Sequence, residues 1–479
     1  MKLSDIIKNL DIVKIIGNLE VEVLDVVTDS RFNSYGGLFV CLDGQNHDGH
    51  TYIGQAIKNG CIAVISEKEL PVSITQIIVS DTRIALSVIA SNFYGNVDKK
   101  MNLIGVVGTN GKTSTAHLIG KILNNSGRKC GIIGTLGAFY NETFLEQSLT
   151  TPDPLQLHKT LKEMYDSGIR TAVMEVSAHA IYYKKIYGLK FIVAVFTNFS
   201  RDHLDFFHSE ENYREVKKSF FKDNKCKCIV ANADDELGRE IAKEFNGVIS
   251  YSIDNPADVF AMEIKENKNG TSFIINLFDC VYSVDMKLSG KFNVYNTLAA
   301  ATASALIGVK TEKIVSNLRS LNCIDGRLEK VYSNRFNIYV DYAHTPDGLE
   351  KVLSALKDIT TGNLICVFGC GGNRDVGKRK EMGKISGLLA NFTVITSDNP
   401  RYEEPMDIIF EIEKGLLEVS KKYVVIQDRK QAIEYAIDYA KKGDTILIAG
   451  KGAEKYQEVL GIKLPYNDKD TINEILRSE

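Results

Sequence analysis

Residues 103–123 pass from an apolar strand, LIGVV, through the loop Gly108-Thr109-Asn110-Gly111-Lys112-Thr113-Ser114 into an apolar-periodic helix, TAHLIGKIL. Such a segment has few ways to fold. The continuous apolar run suits a parallel strand buried on both faces, and the glycines allow the sharp turn at its end. The helix then presents unpaired backbone N–H groups at the C-terminal end of the strand. That array suits phosphate oxygens, with Lys112 adding a mobile cation and Thr113 a hydroxyl for Mg²⁺. The general phosphate-loop pattern would put glycine at 106, where this chain has Val106, so GTNGKTS itself is the tighter signature. ATP is the ligand expected of it.

The chain has 479 residues, about three times a usual domain length of roughly 150, so two or three domains are expected. Hydrophobic residues make up 44% and charged residues 25%, an ordinary globular balance with no allowance for long disordered tracts. Lys plus Arg number 58 against 61 Asp plus Glu, a net charge of −3, so no global basic field exists to hold nucleic acid or an anionic membrane. No run of about 20 apolar residues occurs, and the N-terminal segment lacks a continuous signal-peptide core. Nine cysteines, at 41, 61, 130, 226, 228, 280, 323, 366 and 370, lack the paired CxxC spacing of a zinc site. They read as buried thiols of a reduced, cytoplasmic protein.

Residues 1–97 alternate short apolar runs, GGLFVCL and CIAVIS among them, with turn-rich segments, and read as a small α/β domain. The polar passage GNVDKKMN marks a boundary. From 98 to 325 strand and helix patterns repeat, with the strands TAVMEVS, FIVAVFTNFS and CIVANAD. A second β/α series fills 326–479, including NIYVDYAHT, LICVFGCGG, NFTVITSDNP and DTILIAGKG. The chain therefore reads as α/β with three domains, and chemistry is expected at the C-terminal strand ends.

GTNGKTS resembles the loop of the ATP-dependent Mur ligases of peptidoglycan synthesis and of their relative folylpolyglutamate synthase. Further motifs favour the Mur ligases. TDSRFNSYGGLFVCLDGQNHDGH at 28–50 and TTPDP at 150–154 resemble segments that bind a UDP-muramoyl substrate. MEVSAHA, TNFSRDHLD, YREVKKSFF, FNVYN, DGR, DYAHTPDGL, GCGGNRDVGKR, SDNPRYEEP and AGKGAEKYQ follow in the family's order. The resemblance covers nearly the whole chain. It implies the three-domain architecture with a central P-loop-type ATPase domain and a C-terminal Rossmann-like domain. It also implies ligation of a diamino acid to UDP-MurNAc-L-Ala-D-Glu through an acyl phosphate, by a monomer that uses ATP and Mg²⁺.

The resemblance supplies site roles residue by residue. Gly108 to Ser114, Asn293, Asn296, Arg327 and Asp341 would bind ATP. Thr113, Glu175 and His203 would hold Mg²⁺, and Lys217, as N6-carboxylysine formed with CO₂, would be a further oxygen donor; Lys112, Lys217, Glu175 and His203 would be the catalytic set. Ser30, the DGH at 48–50, Thr150, Thr151, Ser177 and Lys185 would hold the muramoyl dipeptide. Arg374, Asp398, Asn399, Arg401, Gly450 and Glu454 would bind the incoming amino acid. Singly these residues have blander readings: Glu175 as a helix cap, His203 as a hydrogen-bonded histidine, Lys217 and Lys218 as a solvated helix face, SDNPR as a proline turn. Together and in order they point to ligase chemistry, because a carboxylate, ATP and a departing phosphate crowd negative charge that needs cations placed in advance.

In the family DNPR accompanies meso-diaminopimelate, so the resemblance implies that amino acid ahead of L-lysine or another diamino acid, and the Arg401 guanidinium could grip its distal carboxylate on two prongs. Three positions depart from the family pattern: Lys185 where Arg is usual, Phe207 where His is usual, and Ala453 in GKGAE where GKGHE is usual. A non-catalytic ATP-binding subunit is the reading from another class, and the retained Glu175, His203 and Lys217 weigh against it.

Overall fold

Continuous Val, Ile, Leu and Phe runs can be satisfied only where both strand faces are covered, and the chain places them so. The computed structural model describes residues 1–44, 47–224, 226–267, 270–321 and 323–478. It is α/β throughout, as the sequence implied, and its contacts divide it into two units.

One unit comprises 1–107, 127–194 and 216–229. Its first sheet has the order Ile12–Ile16, Thr75–Val79, Cys61–Ser66, Gly37–Val40, Asp25–Val27, parallel except for the edge strand Ile12–Ile16. Helix Thr82–Phe93, capped by the Asp81 carboxylate on the Arg83 and Ile84 amides, packs Leu86 and Ile89 against Leu38, Val40, Ile65 and Ile77. In its second sheet Thr171–Val176 lies between Asn102–Val107 and Cys130–Gly134, all parallel, with Glu175 beside Val106. The antiparallel strands Gly137–Tyr140 and Thr143–Leu145 extend it.

The other unit comprises 108–126, 195–215 and 230–479. Its six-stranded sheet has the order Glu329–Ser333, Asn337–Asp341, Thr445–Ala449, Leu364–Phe368, Phe392–Ile395, Tyr423–Val425, parallel after the first pair. Helices Pro346–Ile359, Gly377–Leu389 and Pro405–Leu417 cover one core, and Arg429–Tyr439 with Asp468–Ser478 the other. Asp341, Gly369, Asp398 and Gly450 thus all follow the C-terminal ends of four adjacent parallel strands.

Two features depart from the strand-then-helix reading of 98–325. The structure adds the antiparallel strands Val259–Asn267, Gly270–Leu277 and Cys280–Met286, and the short strands after Cys130–Gly134. Cys280–Met286 buries only Val284 and Met286, so its apolar signal alternates and lacks the continuous run by which the buried strands were recognised. The nine cysteines are all free thiols, but Cys280 and Cys323 are exposed, against the expectation of uniform burial. Among the described residues no helix is long and apolar enough to cross a membrane.

Candidate active site

The loop expected to hold phosphate sits between the strand Asn102–Val107 and the helix Lys112–Asn125. Gly111 caps that helix at φ 82°, and a Cβ there would strike the Asn296 carboxamide oxygen. Only glycine fits. The rest of the loop is braced by TNFS: the Thr109 amide donates to Asn198 O at 2.8 Å, the Asn110 amide to Asn198 Oδ1 at 2.9 Å, and the Thr197 hydroxyl to Asn110 O at 2.7 Å. Lys112 folds back so that Nζ donates to Gly108 O at 3.1 Å and Thr109 O at 2.7 Å. Asn296 Nδ2 donates to Asn293 Oδ1 at 3.2 Å, and Asn293 to Ser289 O at 2.8 Å. These two asparagines, expected at the adenine, are buried and here also underpin the loop.

Arg327 Nη2 donates to Thr113 Oγ1 at 2.9 Å, with its guanidinium 4.2 Å from the centre of the Tyr342 ring. Gly326, one residue earlier, lies against the backbone of Gly452 and Ala453, so closely that a Cβ would collide with the Ala453 amide. Asp341 accepts from the Leu328 amide at 2.5 Å and the Ala343 amide at 2.7 Å, and burial raises its pKa. His203 adopts φ 54° and sets Nε2 3.3 Å from Asp202 Oδ2. Burial would raise the Asp202 pKa, but His203, His344 and Lys378 outweigh it and bring it down to about 2. Burial holds His344 neutral, down at about 4, with Lys378 acting in the same direction. Asp202, His344 and Lys378 had no role in the sequence reading, although all three stand inside motifs it quoted. Phe207, the departure from histidine, packs its ring 5.1 Å from Tyr213 and is buried.

In the other unit Glu175 is fully buried; its Oε1 accepts from the Thr135 amide at 2.8 Å and its Oε2 from the Thr135 hydroxyl at 3.2 Å. The Thr135 hydroxyl is 3.1 Å from that of Thr150. Thr151 donates to Glu175 O at 2.8 Å and accepts from the Ser177 amide at 2.9 Å, while Ser177 caps the helix Ala178–Tyr182. The structure thus gathers Glu175, Thr150, Thr151 and Ser177 around one strand end. Lys185 pairs with Asp153 at 2.7 Å. Ser30 is buried, its carbonyl accepting from Asn59 at 2.7 Å, and His50 ties Asp48 to the Glu67 amide. Lys217 is 1% exposed, so the solvated-face reading of that lysine is wrong: it shares the buried side of its helix with Tyr213 and Phe220.

Around the ends of Phe392–Ile395 and Thr445–Ala449 residues expected at the incoming amino acid form one network. Asn399 Nδ2 donates to Glu454 Oε2 at 3.0 Å, and Lys451 Nζ donates to Asn399 Oδ1 and to Glu454 Oε2, each at 2.9 Å. A Cβ at Gly450, φ 116°, would meet Asp398 Oδ2 at 2.6 Å. Arg401, in the left-handed region at φ 53°, donates Nε to Glu458 Oε2 at 3.1 Å and Nη1 to Gly372 O at 2.8 Å. Arg374 is exposed beside this network. Sequence reading missed Lys451 and Glu458; burial of the lysine between two glycines was the signal that only coordinates supply.

Among the described residues no three His, Cys, Asp or Glu side chains converge as a ready-made metal cage. Single hydroxyl, carboxylate and imidazole donors suit an ion that shares its ligands with substrate phosphates.

Family profiles described as Mur ligase family catalytic domain, Mur ligase middle domain and Mur ligase glutamate ligase domain match residues 23–94, 106–304 and 326–452. A UDP-N-acetylmuramoyl-L-alanyl-D-glutamate--2,6-diaminopimelate ligase of Alkaliphilus metalliredigens is 40% identical, over 100% of this chain and 98% of the relative. A solved structure of a ligase with that same description superposes with TM-score 0.71 at 30% identity, covering 100% of this chain and 99% of the other. The MurF ligase of Thermotoga maritima in complex with ADP shares the fold, with TM-score 0.67 at 20% identity over 95% of this chain and 97% of its own. Matched from end to end at 40% identity and in fold, the chain belongs to the Mur ligase family.

Proposed function

We propose that this protein is the ATP-dependent ligase that joins meso-2,6-diaminopimelate to the D-glutamate γ-carboxylate of UDP-MurNAc-L-Ala-D-Glu in peptidoglycan synthesis. The observation that carries this is the whole-length identity to ligases of that description. A carboxylate oxygen attacks the γ-phosphorus, and ADP leaves. The diaminopimelate amine then attacks the acyl carbon of the acyl phosphate; phosphate departs, the amine loses a proton and the amide remains.

The loop amides of Gly108 to Ser114 cradle the phosphates, and Lys112 turns from its own loop carbonyls to the transferred group. Asn293, Asn296 and Asp341 take the adenosine, and Arg327 a phosphate. Thr113, Glu175, His203 and Lys217 as N6-carboxylysine would hold Mg²⁺; a near-fully buried lysine is consistent with conversion from a cation to a carbamate. Mg²⁺, when bound, supplies charge neutralisation at the phosphates. Ser30, Thr150, Thr151, Ser177 and Lys185 hold the muramoyl dipeptide. Asp398, Asn399 and Glu454 take the ammonium end of the incoming amino acid, and Arg374 and Arg401 its carboxylates. The enzyme works as a cytoplasmic monomer with domains at 1–97, 98–325 and 326–479.

ADP release by the purified protein with Mg²⁺, ATP and the UDP-muramoyl dipeptide tests this reading. Release dependent on diaminopimelate supports it. Release with L-lysine alone keeps the reaction and overturns the amino acid assigned, and silence with every amino acid overturns the reaction. Bicarbonate-insensitive, full activity of Lys217→Ala would remove the carbamate.

A further inference from the structure

A lysine with no solvent exposure is costly unless its charge is matched, and Lys451 is 0% exposed. Its ammonium meets three groups at once. Nζ donates to Asn399 Oδ1 and to Glu454 Oε2, each at 2.9 Å, and its charge favours the ionised form of Asp398. Those are three of the side chains assigned above to the incoming amino acid. Asn399 is fixed in orientation by this contact: with its oxygen on Lys451 and on the Glu458 amide at 2.9 Å, its Nδ2 must point to Glu454. Gly450 and Gly452 flank the lysine with φ 116° and 53°, backbone that side chains rarely adopt, so the turn is shaped to send this one side chain inward. Both of its hydrogen-bonded partners are residues assigned above to the incoming amino acid.

We infer that Lys451 is a positioning residue that sets amino-acid affinity, by holding Asn399 and Glu454 in the arrangement that receives the substrate's ammonium and carboxylate groups. This rests on the reading of 398–401 and 450–454 as the diaminopimelate pocket.

The experiment is steady-state ADP release by the full-length enzyme carrying Lys451→Met or Lys451→Gln, the second retaining a neutral donor in a similar volume. In both variants KM for diaminopimelate is expected to rise by about tenfold or more, the scale of one lost charge-assisted hydrogen bond. KM for ATP and for the UDP-muramoyl dipeptide are expected to stay within about twofold, a split that a general loss of folded protein would not produce. An unchanged KM for diaminopimelate in either variant, or an equal rise in all three constants, would overturn the inference. Wild-type enzyme run beside them separates the two readings: indifference of the wild type to diaminopimelate defeats the pocket assignment, whereas a diaminopimelate-dependent wild type with unaltered variants defeats Lys451 alone.

Discussion

The nucleotide loop and the amino-acid pocket present charge by opposite means. In the loop the working groups are backbone amides joined by the single cation of Lys112, and side chains such as Thr197, Asn198 and Asn296 serve as braces that hold peptide planes in place. In the pocket the working groups are side-chain charges held by opposite charges, Lys451 by Glu454 and Arg401 by Glu458, and under the strand end at Ala449 the buried Arg429 is held by the buried Asp468. The loop therefore depends on conformation, and the pocket on charge balance. Substitutions in the first should damage turnover while the protein stays folded; in the second they should damage affinity and stability together.

The largest effect is expected in the loop: Lys112→Ala should lower kcat by about 10³-fold, the upper range for one electrostatic donor, with the thermal midpoint nearly unchanged. Single-turnover ADP formation and a melting curve check both halves. Next, Arg429→Met strips Asp468 of a guanidinium bonded at 2.8 Å by both Nε and Nη2, and should cost about 3 kcal/mol of unfolding free energy by breaking a buried pair. Denaturant titration reads it; a loss under about 1 kcal/mol would show that the pocket tolerates unbalanced charge and would erase the contrast. Arg401→Ala follows, raising KM for diaminopimelate by about 30-fold while narrowing its advantage over L-lysine. Competition between the two amino acids measures that advantage directly.

A smaller effect separates the regions by pH. Burial lowers His344, beside the loop's TNFSRDH brace, to about 4, and does the same to His117 and His158. Their unfolded values lie near 6.5, so between about pH 6.5 and 4 the unfolded chain binds more protons than the folded one. Stability from these groups is complete above about 6.5 and falls as the pH drops toward 4. Replacing His344 with Gln should reduce the slope of unfolding free energy against pH in that window by about one proton. The smallest change, Thr345→Ala, removes the hydroxyl that accepts from the Gly348 amide at 3.1 Å and should cost about 1 kcal/mol.

This contrast also explains what the sequence made legible. The loop could be read because a backbone device leaves its mark in residue order: strand, glycines, Lys-Thr, helix. The buried strands of 326–479 were readable for the same reason, as runs such as TILIA and LICVF that cannot face water. Strand order was not, since adjacency of Thr445–Ala449 and Asn337–Asp341 joins residues a hundred positions apart. Lys217 and Lys451 were misread or missed because burial of a lysine depends on neighbours from distant segments, and a Lys codes for a solvated surface in most contexts. The antiparallel strands Val259–Asn267, Gly270–Leu277 and Cys280–Met286 escaped notice because they intersperse buried with partly or fully exposed side chains and so lack a continuous apolar run.

The close seating of Gly326 on Gly452 and Ala453 makes one short stretch a mechanical relay. Arg327 leans on Thr113 of the nucleotide loop, and its neighbour Gly326 bears on the turn that carries Lys451 and Glu454. A shift of Arg327 toward a phosphate would carry its covalent neighbour Gly326 along the turn against which it is packed. Filling the nucleotide site is then expected to be felt where the amino acid docks, ATP raising the affinity for diaminopimelate and diaminopimelate that for ATP by the same factor. Amino-acid affinity measured with and without a non-hydrolysable nucleotide would register it, and equal affinities would rule the relay out.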